Sequence, residues 1–172
     1  MTDSPDDRRG VVSTEPDGGR RLVFRRSWPD PIEDVWAALT ENERSARWIG
    51  TYDGERGPGA SGNFTMLHEG AAEPAPMEMA IVECDPPRRL VLKWPEPFHW
   101  RVELDLGVEN GRTVLVFTQV FPTAEGIADV AAGWHWYLDK LDAELTDRPQ
   151  PQMDGWDAFF AEVGPGYAPD RA

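Results

Sequence analysis

Hydrophobic positions change their period three times along the chain. From Arg20 to Arg26, Leu22 and Phe24 alternate with polar or basic neighbours, the period-two signature of a strand. Asp30-Pro31-Ile32-Glu33 then combines a capping carboxylate, a proline at the first helical position and a glutamate three residues after the cap. Ile32, Val35, Trp36 and Leu39 fall on one face of the helix this predicts. Thr40-Glu41-Asn42-Glu43 repeats the start signal and opens a short helix ending near Trp48 and Gly50. The pair is a helix–turn–helix in shape only, because Glu41 and Glu43 at the head of the second helix would face DNA phosphates with negative charge.

From Tyr52 to Phe121 the period returns to two. Gly57-Pro58-Gly59 and Gly62 punctuate the start of this stretch. Phe64, Met66 and His68 share one strand face, and Met77, Met79 and Ile81 share another. Asp85-Pro86-Pro87 breaks the run before Leu90, Leu92 and Trp94, and Pro95 and Pro97 break it again before Trp100, Val102, Leu104 and Leu106. Asn110-Gly111 is the strongest hairpin signal, since both residues tolerate the positive φ of a two-residue turn. It leads into Thr113 to Phe121, where both faces are largely apolar.

The third period is helical. Between Thr123 and Leu145, Ile127, Ala131, Trp134, Leu138, Leu141 and Leu145 form an apolar stripe, with Asp129, Asp139, Lys140, Asp142 and Glu144 off it. His135 beside the stripe is expected to face solvent. A proline-bearing linker follows, and then Asp154 to Val163, where Trp156, Phe159, Phe160 and Val163 make an apolar helix face that must bury itself on this chain or on a second subunit. Residues 1–19, acidic and poor in apolar groups, read as a disordered tail; residues 20–146 read as the domain, and 147–172 as linker and amphipathic extension. A strand, two short helices, an antiparallel meander and one long helix give an α+β arrangement, with the long helix as the only element able to cover the sheet.

Composition narrows the function classes. The 172 residues carry 17 Lys and Arg against 31 Asp and Glu, a formal charge of −14. Such a balance disfavours nucleic acid and anionic membrane surfaces alike. No apolar run has the length of a membrane span, and the acidic N-terminus has no signal-peptide core, so a cytoplasmic location is expected. Cys84 is the single cysteine and has Asp85 beside it, which disfavours a reactive thiolate. His68, His99 and His135 lie on different elements with no metal-ligand spacing, so no metal site and no cofactor are expected. There is no nucleophile elbow or phosphate-binding glycine loop, and no catalytic residue is assigned.

Arg26 through Trp48, with Val35-Trp36-Ala37-Ala38-Leu39-Thr40, resembles the opening of the Hsp90 ATPase activator homologue branch of the START-like (SRPBCC, Bet v 1-like) superfamily. Asp85-Pro86-Pro87-Arg88-Arg89-Leu90 up to Trp94 is similar to that family's mid-sheet turn and strand, and Gly133-Trp134 with Leu138 and Leu141 to its closing helix. The resemblance runs from Arg20 to Leu145 and implies a helix-grip fold: a curved antiparallel sheet wrapped around a long C-terminal helix, two short helices after the first strand, and a cavity beneath the helix. Where many relatives carry a histidine near the end of the last strand, this chain has Gln119.

The expected cavity selects the candidate site. Phe64, Met66, Met79, Trp94, Phe117, Trp134 and Leu138 are expected to line one continuous space, with Met77, Trp100 and His68 as further ligand-binding positions, His68 standing equally well at the strand's exposed end. Gln119, inward by alternation with Leu115 and Phe117, would be the polar group orienting a ligand. Three functions fit. The first is non-catalytic binding of a small hydrophobic or aromatic molecule, by a monomer or homodimer. The second is an interaction module for an Hsp90-type chaperone. The third is a polyketide cyclase-like enzyme.

Overall fold

The computed structural model describes residues 8–167. Eight strands form one antiparallel sheet: β1 (Val11–Thr14), β2 (Arg20–Trp28), β3 (Gly50–Gly54), β4 (Ser61–Met66), β5 (Pro76–Asp85), β6 (Arg89–Trp94), β7 (Trp100–Glu109) and β8 (Arg112–Phe121). Their spatial order is β1-β2-β8-β7-β6-β5-β4-β3, so only the β2–β8 pairing departs from chain order. Helices α1 (Ile32–Thr40) and α2 (Asn42–Ser45) connect β2 to β3, α3 (Ile127–Thr146) follows β8, and α4 (Trp156–Tyr167) follows a short 3-10 turn at Met153–Gly155. This is the helix-grip architecture, with α3 lying along the sheet.

The sheet's inner face follows the two-residue period. Leu22, Phe24 and Trp28 on β2, Val102, Leu104 and Leu106 on β7, and Leu115, Phe117 and Phe121 on β8 are all buried. The β7–β8 hairpin turns at Asn110 and Gly111, whose φ values of 51° and 75° are those of the primed turn that matches strand twist. In β5 the register shifts between Ile81 and Glu83, so Val82 is an inserted residue. Such a bulge exchanges the faces. Met79 and Ile81 point inward before it, and Cys84 packs against the core after it.

Three local readings are corrected. Val11–Thr14, assigned above to a disordered tail, pairs with Arg20–Val23 as strand β1, and the Gly10 amide donates to the Tyr167 hydroxyl at 2.7 Å. Apolar content is a poor guide here, because an edge strand needs only backbone partners; Val11 itself is exposed. Residues 1–7 of the expected tail lie outside the described residues. The two short helices therefore follow the second strand, not the first. Asp30 does not cap α1: the N-cap is Pro31 with no side-chain hydrogen bond, and the Asp30 carbonyl instead accepts from Thr113 Oγ1 at 2.6 Å. Asn42, at the start of α2, holds the neighbouring strand, exchanging hydrogen bonds of 2.8 Å with both the N–H and C=O of Tyr52.

Helix α3 is buried on two sides. Ile127, Ala131, Leu138 and Leu141 face the sheet as the stripe requires, while His135, Trp136, Lys140 and Ala143 are also buried. The second face is covered by α4, whose Trp156 and Phe159 meet Trp136 edge-on at 5.4 and 5.0 Å. His135 is thus enclosed, not solvent-facing. Its Nδ1 accepts from the Tyr167 hydroxyl at 2.9 Å, and burial, reinforced by the positive charges of Arg26, Arg9 and Arg8, pushes its pKa down to about 3. Lys140 is enclosed by the linker, donating to the Pro151 carbonyl at 2.9 Å. On the sheet side, Arg26 occupies an inner position of β2 and pairs with Asp139 and Asp142 of α3, while Trp28 Nε1 donates to Asp142 at 2.9 Å.

Candidate functional site

Three apolar cavities among the described residues follow one another between the sheet and its helices, each sharing wall residues with the next. The largest, about 560 Å³, opens where the β4–β5 and β6–β7 connections approach α3 and the start of α4. A narrow space of about 60 Å³ lies behind it, and a third chamber of about 290 Å³ lies beneath α1 and α2. Trp94 and Trp134 are common to the first two, with ring centroids 6.4 Å apart. They act as a partition, so the single continuous space expected from the sequence is divided.

The expected residues distribute across this partition. Met66, Met77, Trp94, Trp100 and Trp134 line the large chamber. Phe64, Met79, Phe117 and Leu138 line the narrow space with the two partition tryptophans. Phe64 and Met79 also reach the third chamber. His68 lines none of the three. It lies beyond the end of β4, where its Nε2 bonds the Ala46 carbonyl at 2.8 Å and ties that strand to the turn after α2. Gln119 is fully buried and inward, but it borders none of these cavities. Its Oε1 accepts from Trp134 Nε1 at 2.8 Å, and its Nε2 has no partner among the described residues. It therefore orients the partition, one layer behind the chamber wall.

Several wall residues come from segments that strand alternation does not reach. Phe98 stands on the β6–β7 connection, tilted against Trp100 at 5.0 Å. Trp136 and Trp156 close the chamber from α3 and α4, and Met153 from the 3-10 turn. The aromatic face of the C-terminal segment was the available signal for the last group. Tyr137 contributes the best-defined polar contact, its hydroxyl donating to Glu69 Oε1 at 2.7 Å. Burial and the adjacent carboxylate both hold that phenol well above its ordinary range, so it remains a neutral donor. Glu69 and Asp129 stand exposed at the rim. Cys84 lines the third chamber with Tyr52 and Arg56, and burial raises its thiol pKa. No group of three or more metal-ligating side chains occurs among the described residues, and no described helix is long and apolar enough to cross a membrane.

The profile of a family described as Activator of Hsp90 ATPase homolog 1-like protein matches residues 29–146. Among solved structures, CalU16 from Micromonospora echinospora is 26% identical with a TM-score of 0.71, the match covering 92% of each chain. A protein of Bordetella parapertussis is also 26% identical, covering 92% of this chain and 93% of that one with a TM-score of 0.73. DynU16, a protein of the dynemicin biosynthetic locus, shares the fold at 23% identity and a TM-score of 0.62, over 75% of this chain and 48% of its own. None of the curated proteins matches the chain.

Proposed function

Because the chain belongs to the Activator of Hsp90 ATPase homolog 1-like family, a helix-grip family, we propose that it binds a small hydrophobic or aromatic molecule in the large chamber without transforming it. The observation that carries this reading is the wall itself: about 560 Å³ enclosed by five tryptophans together with Met66, Met77 and Met153. That volume suits a drug-sized ligand. Indole faces supply broad apolar contact, and unbranched methionines adapt to irregular outlines. The rim carboxylates are solvated, which suits recognition better than acid–base work in a water-poor site. Native mass spectrometry of the freshly purified protein is the direct test, and a small-molecule adduct released on denaturation is the expected result. An empty protein whose tryptophan emission ignores a panel of apolar compounds would sink the reading.

The family match favours a second reading, an interaction module for an Hsp90-type chaperone. The two separate cleanly. The chaperone reading requires that adding this protein raise the ATPase rate of an Hsp90-type chaperone, and ligand binding requires no such effect.

A further inference from the structure

The walls of the large chamber carry a consistent charge signature. It is built from four chain segments, residues 66–77, 94–100, 129–137 and 153–156. None of them contains a lysine or an arginine, while Glu69, Glu73, Glu96, Asp129 and Asp154 are distributed over all four. None of the three histidines in these segments is a wall residue: His135 is enclosed between α3 and α4, His68 bonds the Ala46 carbonyl, and His99 lies 3.8 Å from Glu96. The third chamber differs, because Arg56 stands in its wall. Two of the acids, Glu69 and Asp129, are wall residues, and Tyr137 fixes one oxygen of Glu69 in place. The same walls hold five indoles, the side chain whose face attracts cations most strongly.

Resting on the ligand-binding reading above, we propose that the chamber takes an organic cation: an amine or quaternary ammonium carried on a bulky apolar or aromatic body. The body fills the space against Trp94, Trp100 and Trp134. The cationic head lies toward Trp136 and Trp156 at the mouth, where Glu69 and Asp129 neutralise it. An anionic ligand of the same shape would meet carboxylates and find no basic group among the described wall residues. The chain's net charge of −14 adds a long-range attraction for cations.

The test compares three probes of one shape: adamantanamine, adamantanol and adamantane carboxylate, titrated into the full-length protein at neutral pH with tryptophan fluorescence and calorimetry as readouts. The amine is expected to bind at least about fivefold more tightly than the alcohol, the range of a cation over an aromatic face, with the carboxylate weakest. Excess alcohol should displace the amine, which places both in the chamber. In Glu69→Gln/Asp129→Asn the amine-to-alcohol preference should shrink. Equal or tighter binding of the alcohol overturns the cation proposal while leaving ligand binding intact. Amine binding that the alcohol cannot displace also overturns it, since that is attraction to the acidic surface. Failure of all three to bind overturns both readings.

Discussion

Among the described residues, Trp134 and Gln119 are each other's only side-chain hydrogen-bond partners. The indole N–H of Trp134 donates to Gln119 Oε1, and the ring packs on Phe117 at 4.8 Å. Trp134→Ala removes both and should lower stability by about 3–5 kcal/mol. Trp134→Phe keeps an aromatic ring but leaves a buried amide with no partner at either end, for about 1–3 kcal/mol. Adding Gln119→Leu to Trp134→Phe should then restore part of the loss, because two apolar groups need no partners; urea unfolding of the four proteins in the cycle measures this. His135 gives a pH dependence. Its imidazole stays neutral to about pH 3 when folded, whereas the unfolded chain takes up a proton near 6.5. Stability from this residue is therefore complete above pH 6.5 and falls as pH drops toward 3, at up to about 1.4 kcal/mol per pH unit. Burial raises Asp139 and Asp142, which contribute with the opposite sign. The difference between the protein and His135→Gln reports the histidine together with its coupling to Asp139, which lies 3.6 Å from its Nε2, and the variant's urea midpoint should depend less steeply on acidity. Alternation alone placed Gln119 inward. No rule of helical periodicity could have placed His135, because its burial depends on a second helix lying against the far side of α3.

At the scale of elements, the longer strands and α3 were legible because each has a sustained run of one period, and the Asn110-Gly111 turn because its backbone demands are specific. Strand β1 was not legible: four residues paired along one edge leave almost no hydrophobic signature. Its pairing nevertheless has a consequence for truncation. Deleting residues 1–14 removes β1 and the Gly10–Tyr167 hydrogen bond, and a loss of about 1–2 kcal/mol should lower Tm by several degrees in a calorimetric scan. Ending the chain after Asp147 removes α4 and leaves Trp136, His135 and Lys140 uncovered. This loss should be larger, and the large chamber should bind apolar probes more weakly because Met153 and Trp156 leave its wall. An unchanged melting curve after this truncation would contradict the packing of α4 on α3.

For the whole molecule, the order of elements was sufficient to derive an apolar interior between sheet and helix. Its division into chambers was not derivable, because the partition depends on the orientation of two indole rings and the mouth on loops without periodicity. Trp94→Ala should join the large chamber to the narrow space behind it. A longer apolar probe should then bind more tightly to that variant than to the parent protein, a gain that fluorescence titration can read against the accompanying stability loss of about 3–5 kcal/mol.

The stretch that matches the family ends at residue 146, yet Met153 and Trp156 beyond it still form part of the chamber wall. The vessel is thus made of two pieces: a frame of sheet and long helix, and a short appendix clipped to the outside of that helix. Exchanging residues 147–167 for the corresponding stretch of another family member would leave the registers of β2 to β8 untouched while redrawing the mouth. In such chimaeras, preference for ligand shape at the mouth should travel with the appendix while preference for charge stays with Glu69 and Asp129, as a lock's keyway can be replaced without recasting its body.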